Sequence, residues 1–168
     1  MQGIDVTSVD KMAAPNKMSK VITGMGQVFQ KIIFDGEKGY QEVQGRRMDM
    51  TPEQLKEFKT LSLPILDVSY KTGTLDRIEP IDGINYYVVK NGTTEVFYDM
   101  KTGLKAKEVK TVKTPQGEVQ VPQTFSDYKA VNGVLFPFAL GTKMGPMDLN
   151  FTITDIKVNE GVSDEDFK

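Results

Sequence analysis

Ile84-Asn85-Tyr86-Tyr87-Val88-Val89-Lys90-Asn91-Gly92-Thr93-Thr94-Glu95-Val96-Phe97-Tyr98-Asp99 is the stretch whose reading decides the fold. Two runs of β-branched and aromatic residues, which suit a pleated surface, flank an Asn-Gly pair suited to a tight hairpin. The segment therefore reads as two antiparallel strands, over 84–90 and 93–99. Alternation along a strand puts Ile84, Tyr86 and Val88 on one face and Tyr87 and Val89 on the other.

The same punctuation recurs outward from this hairpin. Ala14-Pro15-Asn16, Asp35-Gly36, Gln44-Gly45, Asp82-Gly83, Lys101-Thr102-Gly103, Gln116-Gly117, Asn132-Gly133 and Gly145-Pro146 are turn signals. Between them the pattern predicts strands over 3–10, 17–23, 26–34, 38–44, 74–80, 103–113, 118–128, 133–143 and 148–158. One helix interrupts the series over 52–60. There Thr51 and Gln54 form a capping box, Pro52 takes the first helical position, and Leu55 and Phe58 give one apolar side. Residues 61–68, broken by Pro64, read as a second short turn or apolar loop packed on the sheet. No repeat or linker divides the chain, so the expectation is a single mainly β (α+β) domain.

Several strands carry apolar residues on both faces. Met25, Phe29 and Ile33 oppose Val28, Ile32 and Phe34; Val134, Phe136, Phe138 and Leu140 oppose Leu135 and Ala139; Leu149, Phe151 and Ile153 share a face, with Ile156 on the reverse. An antiparallel sheet with one wet face would alternate more cleanly. The outer faces therefore need cover from the helix, a partner chain or a ligand.

Composition removes whole classes of chemistry. The 168 residues include 39% hydrophobic and 26% charged side chains, enough for one domain with a core. Lys and Arg total 21 against 23 Asp and Glu, a net charge of −2 that disfavours nucleic-acid backbones. With no His, Cys or Trp, disulfides, thiolate nucleophiles, His- or Cys-based zinc sites and His-dependent relays are excluded. Catalysis would rest on carboxylates, Lys, Tyr, Ser or Thr. No two carboxylates stand in a recognisable acid/base relation, and no spacing resembles a calcium loop. The expectation is no enzyme, no metal and no cofactor. No apolar run approaches the roughly 20 residues that cross a bilayer as a helix, and Met1–Asp10 lacks the basic and apolar regions of a signal peptide.

Strung together, the turn signatures resemble a known family. Ala14-Pro15-Asn16-Lys17, Phe34-Asp35-Gly36-Glu37-Lys38-Gly39-Tyr40, Gly45-Arg46-Arg47 leading into Thr51-Pro52-Glu53-Gln54-Leu55, and Asp82-Gly83-Ile84-Asn85-Tyr86-Tyr87 stand in order. Phe97-Tyr98-Asp99, Thr102-Gly103-Leu104, Asp127-Tyr128, Val131-Asn132-Gly133-Val134-Leu135-Phe136-Pro137 and Ile156-Lys157-Val158-Asn159 complete the series. The chain resembles the outer-membrane lipoprotein-sorting proteins of the LolA-like superfamily, especially divergent versions from Bacteroidetes envelopes. The resemblance implies a strongly curved antiparallel sheet, a half-barrel whose concave face is covered by the helical insert. It also implies non-catalytic binding of a lipid, or of a lipoprotein's acyl moiety, in the periplasm or cell envelope of a Gram-negative bacterium. The family's signal peptide and N-terminal helix have no counterpart here, which implies a C-terminal piece or excised module of a larger envelope protein. The other expectation is a structural or protein-interaction domain, accessory to a peptidase for example, with an envelope protein or upstream domain as partner.

Phe29, Ile33, Leu55, Phe58, Tyr86, Phe97, Phe136, Phe138 and Phe151 are the candidate lipid-lining residues, and Arg46 and Arg47 the candidate head-group or partner contacts. Lys105, Lys107 and Lys113 share a parity that predicts a basic stripe, or else an edge strand protected by lysines. Asp35 and Asp99 read as turn aspartates that accept from nearby backbone amides, and Asp164-Glu165-Asp166 as an acidic tail tip.

Overall fold

A computed structural model describes residues 6–60, 72–114, 117–144 and 147–168. The chain forms two compact units, Met1–Ser69 with Asn159–Lys168, and Tyr70–Val158. The expected loop over 61–68 and the expected start of the first strand at residue 3 lie outside the described residues.

The first unit carries β1 (Val6–Ala13), β2 (Lys17–Gly24), β3 (Gln27–Phe34), β4 (Gly39–Val43) and β5 (Arg46–Asp49), antiparallel in the order β1-β2-β3-β4-β5. Helix α1 follows at Pro52–Thr60, as its capping box predicts. The Thr51 N–H donates to Gln54 Oε1 at 2.9 Å, and the Gln54 N–H donates to Thr51 Oγ1 at 3.3 Å. Nine residues make a marginal helix in isolation; this one is anchored where the Phe58 ring meets Phe34, with centroids 5.4 Å apart.

Register separates the two faces of this sheet. Met12, Met18, Phe34 and Gly39 align on one, and Phe34, on which α1 packs, is fully buried. Lys11, Ser19, Ile33 and Tyr40 align on the other. A 3-10 turn at Asp164–Phe167 returns to that second face. At the C-terminal end of β3 both apolar faces are thus covered, one by α1 and the other by the C-terminal segment, whereas Val28 at its start stays 48% exposed.

The second unit is a seven-stranded antiparallel meander of β6 (Thr74–Ile81), β7 (Ile84–Asn91), β8 (Thr94–Asp99), β9 (Lys105–Thr114), β10 (Gly117–Val131), β11 (Val134–Met144) and β12 (Met147–Thr152), paired in sequence order. Its core includes Val88, Val96, Phe97 and Phe138. The deciding hairpin is present, with its turn one residue later than Asn-Gly pairing would place it. Asn91 pairs with Thr94, and Gly92, at φ +60°, begins a two-residue Gly-Thr loop.

The expected half-barrel is overturned. The strands form two open sheets of five and seven in linear order, not one strongly curved sheet, and α1 packs on the five-stranded sheet through Phe34 rather than covering a concave face. The physical reason is that period-two patterning is identical for one sheet and for two. The hydrogen-bonded ladder stops at β5, where the chain leaves into α1, and a new one starts at β6. β5 itself was not expected, and β12 stops at Thr152, well short of 158.

One turn residue is out of place. Met25 sits at φ +52° and is 80% exposed, so a bulky side chain occupies a left-handed position without packing in return. Met25→Asn is expected to raise stability by about 0.5–1 kcal/mol. An unchanged or lower midpoint in a urea titration would show that Met25 is not strained.

Candidate functional site

The nine apolar candidates divide between the two units. Phe29 and Ile33 lie on β3 and Leu55 and Phe58 on α1, while the other five lie on β7, β8, β11 and β12. Ile33 is buried among its own neighbours, and Phe58 is engaged with Phe34. Phe29 stands at a bulge, because Ile22 pairs with Gln30 and Thr23 with Val28. In the second unit, Tyr86 and Phe97 are brought together in an edge-to-face contact at 6.5 Å. Ladder register places Phe136, Phe138 and Phe151 on the opposite face of that sheet. Phe138 is buried beneath Lys129, whose Nζ is 4.7 Å from the ring centroid, whereas Phe151 is 49% exposed.

The arginine candidates behave differently from one another. Arg46 is exposed on β5. Arg47 lays its guanidinium 3.6 Å from the Tyr40 ring centroid and pairs with Asp49 at 3.6 Å, so part of its binding capacity is already used.

The lysine stripe does not form. Ala106 is an extra residue between the Phe97–Lys107 and Tyr98–Lys105 pairs, which turns Lys105 and Lys107 to opposite faces. Lys107 Nζ lies 5.0 Å from the Phe97 ring centroid; Lys105 Nζ lies 4.1 Å from that of Phe125 and pairs with Glu108 at 3.5 Å. β9 is also internal, between β8 and β10, so the edge-strand explanation falls too. The side chain of Lys113 is outside the described set.

The carboxylates are structural in their surroundings. Asp35 accepts the Glu37 and Lys38 N–H groups, both at 2.7 Å, and the Lys38 bond leads in holding its carboxyl below the usual aspartate range. Asp99 accepts from Lys101 at 2.7 Å and Thr102 at 2.9 Å, and is lowered chiefly by Thr102. Arg77 gathers Asp76 at 2.6 Å, Glu79 at 2.7 Å and Glu95 at 3.0 Å, and its hydrogen bond is the main cause that lowers Glu95. Among the described residues, every displaced carboxyl thus moves away from the raised value that general-acid chemistry requires. Among the described residues, no three Asp or Glu side chains converge as a cation site.

What the sequence did not reveal is the use of the acidic tail tip. Lys17 meets Asp164 at 2.6 Å, and Lys11 meets Asp166 at 2.5 Å. Phe167 is buried to 3% exposure, and the Tyr40 hydroxyl donates to the Lys168 carbonyl at 3.3 Å. Asp166 also accepts the Ser163 N–H at 2.8 Å, closing the turn. This segment is a strap across the Lys11–Ser19–Ile33–Tyr40 face. Two open depressions flank it: one of about 460 Å³ bordered by Lys17, Asp35, Glu37, Lys38 and Phe167, and one of about 250 Å³ bordered by Val9, Lys11, Ser19, Val21 and Lys31. Their borders are largely charged, unlike the apolar lining expected for a lipid. The usable sequence signal was Ser163-x-x-Asp166 followed by Phe167, a capped turn carrying an aromatic.

The lysine bonds are the leading cause that lowers both Asp164 and Asp166 below the ordinary 3.8. Groups lowered in the docked state contribute fully above the free-aspartate pKa, and that contribution fades as pH falls through the docked values. Amide exchange at Phe167, corrected for intrinsic rates, should therefore be steady from about pH 7 to 5 and accelerate toward about pH 3. No acceleration would mean that the ion pairs do not hold the strap.

No family model matches the sequence, and no curated protein matches it. Among solved structures, a LolA superfamily protein from Nitrosomonas europaea is similar, with a TM-score of 0.54 and 12% identity over 98% of this chain and 88% of that one. A likeness at this identity is one of fold. Among the described residues, no helix is long and apolar enough to cross a membrane.

Proposed function

We propose that this chain is a non-catalytic, single LolA-like domain that binds a lipid, or the acyl moiety of a lipoprotein, in the periplasm or cell envelope of a Gram-negative bacterium. The observation that carries the reading is the fold likeness to a LolA superfamily protein across 98% of the chain, both sheets included. Phe136 and Phe151, which share a face of the seven-stranded sheet and are left partly open, are the proposed acyl contacts. Arg46 and the unpaired side of Arg47 are the proposed head-group contacts.

Each methylene withdrawn from water contributes roughly 0.8 kcal/mol, so acyl affinity should rise about fourfold per added carbon. The test is native mass spectrometry of the purified chain, followed by organic extraction and titration with fluorescent fatty acids of increasing length. A co-purified lipid, or one-to-one saturation that strengthens with chain length, supports the reading. A clean apo mass with no saturable binding overturns it in favour of a protein-interaction domain, for which the exposed Leu75 and Ile78 on β6 would be the first surface to probe.

A further inference from the structure

We propose that the C-terminal strap exchanges between two copies of this chain, each copy's strap seating on the other's five-stranded sheet. The strap belongs to the first unit, yet it follows directly on Tyr70–Val158, which is the second. Ile153 is still tied to β11, its N–H donating to the Phe138 carbonyl at 2.8 Å, but residues 159–163 before the 3-10 turn carry no strand and are all exposed, so the strap's connection is not itself packed down. Its seat is made by side chains alone on the sheet's part: Lys11 on β1, Lys17 on β2 and the Tyr40 hydroxyl on β4. No ladder hydrogen bonds have to be rebuilt when the strap leaves, and a second copy offers the same carboxylates and the same Phe167. Reciprocal exchange fills both faces and closes with two-fold symmetry, which makes swapping a low-cost route to a dimer.

The chemistry of the seat also selects the occupant. Lys11, Lys17 and Lys31 present positive charge, while Asp35 and Glu37 beside Lys38 keep the far side mixed. A segment that fits must place carboxylates two residues apart, followed at once by an aromatic. Asp164-x-Asp166-Phe167 is such a segment in this sequence. In dilute solution docking within one chain dominates, because a tethered strap meets its own seat more often than that of another copy. Exchange appears when copies are concentrated, or when straps are lifted and allowed to settle together.

The absence of cysteine from these 168 residues makes the exchange directly readable. One chain would carry Val9→Cys and another Glu165→Cys, which border the same depression and make none of the Lys11, Lys17 or Tyr40 seat contacts. The two are mixed in equal amounts, warmed to lift the straps, cooled and treated with a short bis-maleimide crosslinker. Random encounter gives the mixed dimer as half of all dimers; strap exchange should raise that share well above half. Adding Phe167→Ala to the Glu165→Cys chain should return it to the random share, because the aromatic plug no longer seats. A mixed share at or below random, or one indifferent to Phe167→Ala, overturns the proposal. Circular dichroism of each variant confirms that both sheets are intact before mixing.

Discussion

Phe34→Ala is expected to lower the unfolding free energy by about 3–5 kcal/mol in a denaturant titration. Phe34 has no exposed surface, ends β3 between Met18 and Gly39 in the ladder, and carries the Phe58 ring at 5.4 Å. The ladder fixes the backbone on both sides, so the space left by the ring cannot collapse, and the cavity adds to the lost transfer energy. The same change deprives α1 of its aromatic anchor, and the far-ultraviolet helical signal should fall with it. Phe34→Leu keeps most of the volume and should cost less than about 1.5 kcal/mol. A loss under about 1 kcal/mol for Phe34→Ala would contradict the packing of α1 on this face.

Gly39→Val is expected to destabilise by about 1–3 kcal/mol through overpacking rather than through a cavity. A Cβ at Gly39 would stand 2.6 Å from the Ile33 carbonyl oxygen and 2.6 Å from Met50 Sδ. The sulfur is at the end of a flexible side chain and can move. The oxygen belongs to β3 and cannot move without disturbing the pairing of Ile33 with Tyr40. A double variant therefore separates the two obstacles. Adding Met50→Ala to Gly39→Ala should leave most of the glycine penalty in place, measured against Met50→Ala alone. Full recovery in that cycle would place the obstruction at the sulfur.

Turn chemistry made most strands legible. Asp82-Gly83 and Asn132-Gly133 adopt the left-handed pairs that two-residue hairpins require, and α1 begins where Thr51 and Gln54 say it should. β5 escaped because Arg46, Arg47, Met48 and Asp49 are all exposed and lack an apolar alternation. The division into two sheets escaped because pairing between distant strands leaves no trace in either strand's own pattern. Site residues were chosen by parity along single strands, and parity holds only while the register is regular. The extra residue at Ala106 sent Lys105 and Lys107 to opposite faces, and the bulge at Phe29 interrupts β3 in the same way. The strap was invisible for a different reason. Lys11 and Asp166 are 155 positions apart, and nothing local to either announces the other.

That separation has a meaning for the order in which the protein is made. Among the described residues, every strand pairs with its predecessor or successor in sequence, so each ladder can close while synthesis proceeds. The seat for Phe167 is the exception. Its walls are complete once β5 has emerged at Asp49, but the plug is not translated until Asp164–Phe167. At ordinary elongation speeds of about 5–20 residues per second, the nascent sheet waits on the order of 10 s with Lys11, Lys17 and Tyr40 uncovered.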